Sequence, residues 1–107
     1  MNEIKYTLVV APRADKMLLE HTKFLAKVSI PAAKRLLADF EKSIERISTN
    51  PHMFPYLDEN TVLGITPKTY RSCLLGTRYR IIFTVENQCI FIDAIADCRQ
   101  GNSDILS

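Results

Sequence analysis

The stretch from Tyr70 to Ala96 constrains the fold more than any other part of the chain, because it has the composition of a three-stranded β-meander. Its successive segments are YRSCLL, GTR, YRIIFTV, ENQ and CIFIDAIA, so short linkers separate runs rich in apolar residues. Ile, Val, Phe and Tyr dominate the two longer runs, and these residues suit a pleated, half-buried surface. The pattern predicts strands over Tyr79–Val85 and Cys89–Ala96, with a shorter strand before them.

Residues 60–85, which include the first two predicted strands of the meander, are basic, whereas the rest of the chain is slightly acidic. Residues 60–85 contain Lys68, Arg71, Arg78 and Arg80 and no Asp or Glu, which gives a local charge of +4. The whole chain carries +2, so the remaining residues sum to −2. We therefore expect a basic sheet on a mildly acidic helical body, and a basic surface favours acidic partners.

Two amphipathic helices are predicted before the meander, after an initial strand at Lys5–Val10. Over Arg13–Val28 apolar residues recur at helical spacing, with Lys and Glu on the opposite side. Ser29-Ile30-Pro31 interrupts this run, with Ser29 as the expected N-cap of a second helix. Asn50-Pro51 ends the second helix, because a residue before proline is disfavoured in the helical conformation. The short connection predicts an antiparallel helical hairpin.

The element order β-α-α-β-β-β predicts an α+β fold, with the helical hairpin packed on one face of a small antiparallel sheet. The length indicates a single domain over residues 1–107, and we expect a flexible tail over residues 101–107. No apolar run is long enough for a membrane span, and the N-terminus lacks the features of a signal peptide. The cysteines and histidines have no metal-ligand spacing, so we predict no metal and no cofactor.

Residues 51–67 contain three prolines and no sustained period. They predict a long ordered loop, held against the helices by Met53, Phe54 and Tyr56, and loops of this length are often functional. Two interpretations apply to Phe54, Tyr56 and Leu57. They are anchors for a large partner, or they pack the loop onto the core, and the second interpretation is favoured for at least two of the three.

Strand alternation predicts which side chains share the face of the sheet turned away from the helices. An even-length loop between the first two meander strands pairs Leu74 with Tyr79 and places Arg71 and Cys73 beside Arg80 on that face. An odd-length loop would separate Arg71 from Arg80.

A two-residue turn at Asn87-Gln88 fixes the register of the last two strands. It predicts three opposed pairs, namely Ile82–Asp93, Thr84–Phe91 and Arg80–Ile95. Arg80 and Asp93 are then either a stabilising pair, or Arg80 belongs to a site for phosphate or acidic side chains, to which Arg offers a bidentate fork. Apolar neighbours beside such a site are typical of a partner surface.

The element order, the motif ISTNPHMFP that closes the second helix, and YRSCLLGTRYRIIFTVENQCIFIDAIADCRQ together resemble the RelE/ParE toxin superfamily of bacterial toxin–antitoxin systems. The resemblance extends from about Lys5 to Arg99. RelE-like members are ribosome-dependent mRNA endonucleases, and ParE-like members poison DNA gyrase. The resemblance implies a cytoplasmic toxin that arrests growth, serves plasmid stabilisation and forms a hetero-oligomer with a cognate antitoxin, whose C-terminal segment folds on binding.

In the nuclease branch, the resemblance implies that Arg71, Arg80 and Arg99 match basic residues that hold the scissile phosphate. Cys73 stands where a second basic residue is expected, and the tail GNSDILS contains no Tyr or His. Cleavage also needs a proton acceptor and a proton donor. Arginine is a poor proton shuttle because its pKa is above about 12.

Three other side chains are candidates for the proton shuttle. Tyr70 and Tyr79 are predicted to face the helices, and His52 acts only if the long loop folds over the sheet. The proline-rich and aromatic loop after an Asn-Pro helix stop is more similar to the ParE-like branch, which needs no catalytic residues. We therefore favour a gyrase-binding toxin over a ribosome-dependent endoribonuclease, with a non-toxic protein-binding module as a further alternative.

The predicted contact residues fall into two groups. Those for the antitoxin or the target are Lys68, Arg71, Arg78, Arg80, Ile82, Phe91 and Arg99, and those for the target alone are Phe54, Tyr56 and Leu57.

Overall fold

The structure, a computed structural model, describes residues 6–57 and 69–98. Its elements are β1 (Thr7–Val10), α1 (Pro12–Val28), α2 (Ile30–Thr49), a 3₁₀ turn (Pro51–Met53), β2 (Arg71–Leu75), β3 (Tyr79–Glu86) and β4 (Cys89–Asp97). The predicted order β-α-α-β-β-β is confirmed, with boundaries within a residue or two of those expected. The predictions on Lys68, Arg99 and the tail over residues 101–107 lie outside the described residues.

The four strands form one sheet in the order β1-β4-β3-β2. The meander strands pair antiparallel, but β1 pairs parallel to β4. The α+β class is confirmed, whereas the expected antiparallel sheet is mixed. The physical reason is the connection: β1 and β4 are separated by the helical hairpin and two strands, and parallel neighbours need such a long crossover.

Local sequence signals explain where the helices begin and end. Pro12 occupies the first turn of α1, where its missing N–H costs nothing. Ser29 ends α1 and caps α2 as predicted, because its Oγ accepts a hydrogen bond from the Ala32 N–H at 3.3 Å. Asn50 follows the last residue of α2, and Pro51 begins the 3₁₀ turn. The two helices therefore form a hairpin with a one-residue connection.

Both helices cover the same face of the sheet, which we call the inner face. Its buried sheet side chains are Cys73, Leu75, Tyr79, Ile81, Phe83, Ile90, Ile92 and Ile95. Ala14 of α1 and Leu36 and Ile47 of α2 pack against them. This contact seals the main hydrophobic core, as the apolar stripes of the helices predicted.

Helix α1 also covers the part of β4 that lies beyond the end of β1. The pairing between β1 and β4 ends at Val10 and Ile92. Further along β4, His21 Nε2 donates to the carbonyl oxygen of Ile95 at 2.7 Å. The His21 side chain thus supplies a hydrogen bond to β4 at a point that β1 does not reach. None of the described helices has the length and apolarity that crossing a membrane requires.

Candidate functional site

The face of the sheet turned away from the helices, which we call the outer face, carries the candidate site. Strand alternation places on it Ser72 and Leu74 of β2, Arg80, Ile82 and Thr84 of β3, and Phe91, Ala94 and Ala96 of β4. Part of this face is covered, because Leu57 packs with Ile82, Ala94 and Ala96 in a second buried cluster. Leu74 projects from the rest of it with 62% of its surface exposed.

The predicted grouping of Arg71 and Cys73 with Arg80 is wrong. The loop between β2 and β3 has three residues, so Leu75 pairs with Tyr79 and Leu74 pairs with Arg80. This odd register turns Cys73 onto the inner face, where it is buried. A glycine in a three-residue hairpin loop is the signal that predicts this register, and Gly76 adopts a φ of 66°. Sequence reasoning therefore missed Leu74 as the cross-strand neighbour of Arg80.

The register between β3 and β4 is predicted correctly only up to a β-bulge. Thr84 lies opposite Phe91 as expected, but the register then shifts between Ile82 and Phe83. Because Asp93 is the extra residue, Ile82 pairs with Ala94 rather than with Asp93. The same shift overturns the predicted Arg80–Ile95 pair: Arg80 lies opposite Ala96, and Ile95 is buried on the inner face.

Arg80 is the one arginine of the described meander whose position on the outer face agrees with the prediction. Its Nε is buried and has no hydrogen-bond partner within the described ranges. The first of the two alternatives, a stabilising pair between Arg80 and Asp93, is absent from the described residues, whose single ion pair joins Arg78 and Asp97. A buried guanidinium nitrogen without a partner is costly, which makes Arg80 a candidate for an external acceptor.

Asp93 instead belongs to a separate polar group next to the bulge. Thr84 Oγ1 donates to Asp93 Oδ2 at 3.2 Å. Burial raises the pKa of Asp93, while the hydrogen bond from Thr84 and the positive charge of Arg13 act in the opposite direction. The outer face therefore contains a carboxylate, but its polar contacts are not with Arg80.

Arg71 holds the segment that follows α2. Its Nη1 donates to the carbonyl oxygen of Phe54 at 2.7 Å, and its Nη2 donates to the Tyr56 hydroxyl at 2.9 Å. The guanidinium carbon also lies 4.1 Å from the centre of the Tyr56 ring, a distance typical of a cation–π contact. These contacts give Arg71 a structural role at the start of β2.

Arg78 is likewise committed to the chain itself. Its Nε and Nη2 donate to Asp97 Oδ2 at 3.1 and 2.9 Å. The guanidinium carbon lies 5.0 Å from the centre of the Phe24 ring and 5.1 Å from that of Tyr79. The pair ties the β2–β3 loop to the end of β4. Arg78, which the sequence predicts as a partner contact, is therefore already engaged in an ion pair within the chain.

Of the three predicted loop anchors, Phe54 and Leu57 are buried and Tyr56 is 45% exposed. Packing onto the core is therefore the role of two of them, as the favoured interpretation stated. The expectation that Tyr56 holds the loop against the helices is wrong, because Tyr56 is exposed and its ring lies on Arg71. Met53 is also exposed, but it lies beside the C-terminal end of α2. Among the other predicted contact residues, Ile82 is buried and Phe91 is half-buried.

The three candidate proton shuttles occupy three different places. Tyr79 is buried on the inner face, with its ring centre 4.7 Å from that of His21. His52 is exposed, with its ring centre 6.2 Å from that of Tyr6. Tyr70 packs against the Leu57 cluster on the outer face, so the prediction that it faces the helices is wrong for the same reason of register. No three metal-binding side chains cluster within residues 6–57 and 69–98.

The sequence matches the family described as "ParE toxin of type II toxin-antitoxin system, parDE" over residues 8–101. No curated protein matches it.

Two solved structures share the fold. The one described as "Chromosomal ParDE TA system from P. aeruginosa" superposes with a TM-score of 0.66 at 16% identity, covering 90% of this chain and 98% of that chain. "The structure of YoeB dimer from Staphylococcus aureus" superposes with a TM-score of 0.52 at 17% identity, covering 91% and 98%. At these identities the likeness shows the fold alone.

Proposed function

Because the chain belongs to the ParE toxin family of type II toxin–antitoxin systems, we propose that it arrests bacterial growth by binding DNA gyrase and that a cognate antitoxin protein neutralises it. The family match over most of the chain supports the toxin role. The described structural neighbour from P. aeruginosa is a ParDE toxin–antitoxin system, which supports an antitoxin partner. Toxin and antitoxin form a hetero-oligomer.

The proposed target site rests on the environment of Arg80. It lies on the outer face opposite Leu74 and Ala96, and its buried Nε has no partner in the described part of the chain. An arginine beside exposed apolar surface is the usual centre of a protein contact. We assign Arg80 to the contact with acidic groups of the target, with Leu74 beside it and Phe91 further along the same face, opposite Thr84. Lys68 and Arg99 remain predicted contacts.

Binding is favoured over RNA cleavage because the catalytic parts are dispersed. A nuclease needs an acid and a base close to the groups that hold the phosphate. Arg71 is occupied by a main-chain carbonyl and the Tyr56 hydroxyl, and Tyr79 is buried under the helices. Tyr70 is on the same face as Arg80, and this one observation keeps a RelE-like ribosome-dependent endonuclease as the second candidate.

Induced expression in bacterial cells separates the two activities. Gyrase poisoning predicts an SOS response, filamentous cells and altered plasmid supercoiling, while translation continues at first. Ribosome-dependent cleavage predicts immediate translational arrest and cut mRNA. Unimpaired growth with a soluble, folded product would contradict both.

The Arg80→Ala variant tests the site. We expect it to relieve growth arrest and to weaken binding of purified gyrase by about tenfold or more, since truncating an interface arginine costs about 2 kcal/mol. Arg35→Ala, at an exposed position of α2, is the matched control and should stay toxic. Tyr70→Phe should leave a gyrase toxin active and disable only a nuclease. Full toxicity of folded Arg80→Ala would refute the assignment.

A further inference from the structure

The helical hairpin exposes three large apolar side chains where α1 passes into α2. Phe24, Val28 and Ile30 have 50%, 77% and 55% of their surface exposed, and none of them belongs to either core cluster. Phe24 and Val28 are four residues apart and are therefore neighbours on one side of α1. Ile30 begins α2 directly after the one-residue connection, Ser29. A group of this kind at one corner indicates an interaction surface, whereas single apolar side chains on a surface are ordinary.

The same corner is basic, and we call residues 23–35 the hairpin tip. Residues 21–38 contain no Asp or Glu, and their four cations give a local charge of +4. These cations are Lys23, Lys27, Lys34 and Arg35. All four are exposed, and none forms an ion pair within the described part of the chain. The first two each precede an apolar residue of α1 by one position, so they form a basic stripe beside the apolar one.

The opposite end of the same hairpin has a different charge. Residues 12–20 of α1 carry two cations and two carboxylates, and residues 39–49 of α2 carry two cations and three carboxylates. These two segments together sum to −1, against +4 for residues 21–38. The positive charge of the hairpin is therefore concentrated at the end that also exposes apolar side chains.

Apolar side chains beside a cluster of cations match the surface of a membrane that contains anionic lipids. Affinity for such a surface comes from burial of apolar side chains at the headgroup boundary and from attraction between cations and anionic lipids. Clusters of about four to eight Lys and Arg are typical of anionic lipid recognition, and the tip has four. Nucleic acid would supply phosphates to the cations but would leave the apolar side chains in water.

The position of the apolar side chains also suits a bilayer. Val28 ends α1 and Ile30 begins α2, so both lie at the end of the hairpin. A protein partner buries side chains of this kind in well-packed pockets, and it would need a pocket shaped to this corner. A fluid bilayer deforms around the corner and needs no preformed pocket.

We propose that the hairpin tip binds the surface of a membrane that contains anionic lipids, with Val28 and Ile30 in the headgroup region and the four cations against lipid phosphates. Binding of this kind lies at the membrane surface and needs no spanning helix, and none of the described helices is of that type. Arg80 lies on the face of the sheet turned away from the helices, so the proposed target site stays open. The inference goes beyond the proposed function and does not depend on it.

A single tryptophan placed at the tip tests whether it enters a bilayer. The chain contains no tryptophan, so the emission of a full-length Val28→Trp variant reports on this position alone. We expect its emission to shift to shorter wavelength with vesicles made of equal parts phosphatidylglycerol and phosphatidylcholine, and to be quenched by lipids brominated on their acyl chains. Leu19→Trp is the matched control, because Leu19 is 53% exposed and lies nine residues earlier, on the opposite side of α1. Its emission should not shift.

Removing two cations tests the electrostatic part of the inference. Vesicle sedimentation measures the affinity of the chain and of its variants, and circular dichroism checks that each variant is folded. Lys23→Gln combined with Lys27→Gln should weaken binding to the anionic vesicles by about tenfold or more, because each cation near an anionic surface contributes about fivefold. Lys16→Gln combined with Lys42→Gln removes the same charge from exposed positions outside the tip and should weaken it by about twofold or less.

Four outcomes would overturn the inference. They are an unshifted emission of Val28→Trp with anionic vesicles, equal shifts for Val28→Trp and Leu19→Trp, equal losses for the two pairs of lysine variants, and equal affinity for vesicles of phosphatidylcholine alone. An emission shift of Val28→Trp with purified gyrase and none with vesicles would assign the tip to a protein partner instead. A toxic chain that ignores vesicles would refute only the membrane site, and a chain that binds vesicles without arresting growth would refute only the proposed function.

Discussion

The inner and outer faces of the sheet are both buried at their centres, but they are built from different chemistry. On β3 the inner face presents Tyr79, Ile81 and Phe83 to the helices. The outer face presents Ile82, buried beneath Leu57, with charged or polar residues on either side of it. Arg80, which has no carboxylate partner among residues 6–57 and 69–98, lies on this face, away from the helices. The comparison teaches that the main hydrophobic core lies on the inner face, which leaves the outer face for the contact that we propose with a partner.

The largest expected effect comes from truncating a side chain at the centre of the inner face. Phe83→Ala removes a fully buried ring that packs edge-on against Phe54 at 5.8 Å between ring centres. We expect a loss of about 3–5 kcal/mol in the free energy of unfolding, measured by urea denaturation. Thr84→Ala, the next residue on the outer face, should cost about 1 kcal/mol through its lost hydrogen bond to Asp93. Equal losses would contradict the division between the faces.

A smaller effect on the free energy of unfolding distinguishes Arg71 from Arg80, which the sequence predicts to lie on the same face. Arg71→Ala removes hydrogen bonds to Phe54 and Tyr56, and we expect it to lower the free energy of unfolding by about 1–2 kcal/mol. Arg80→Ala should change that free energy by less than about 1 kcal/mol, because its buried Nε has no partner among the described residues. Thermal unfolding of both variants checks this, and greater destabilisation by Arg80→Ala would assign it a structural role.

The elements that have a strong local signal are predictable from the sequence. The helix stop at Asn50-Pro51, the N-cap at Ser29 and the turn at Asn87-Gln88 are all confirmed. Each follows from the backbone preference of one or two residues. The family resemblance and the α+β class follow from the order of these elements.

The composition of the outer face is less predictable, because adding or removing one residue in a loop or a strand changes which side chains point to that face. A three-residue loop instead of an even one turns Arg71 away from Arg80, and one bulge residue, Asp93, turns Ile95 inward. A slip of one residue exchanges the two faces of a strand. The sequence pattern also does not predict the partners of Arg71, since they include the main-chain oxygen of Phe54, 17 positions away.

The smallest expected effect concerns Asp93 and depends on pH. Burial raises the pKa of this carboxyl above its ordinary value of 3.8, so the folded chain retains a proton that the unfolded chain has already lost at the same pH. Stability therefore falls as the pH rises from about 4, where the unfolded carboxyl titrates, through the folded pKa. Above that value the carboxylate is charged in both states, and its desolvation opposes folding.

Asp93→Asn should remove this dependence, because it replaces the titrating carboxyl of the outer face by a neutral amide. The amide oxygen still accepts from Thr84, so we expect a gain at neutral pH of less than about 1 kcal/mol, because the half-buried carboxyl remains partly solvated. Urea denaturation across pH 4–7 measures it, with Glu41→Gln at an exposed position of α2 as the control. A loss of stability at neutral pH would show that the attraction to Arg13 outweighs burial, and that the outer face is held together by its own charges.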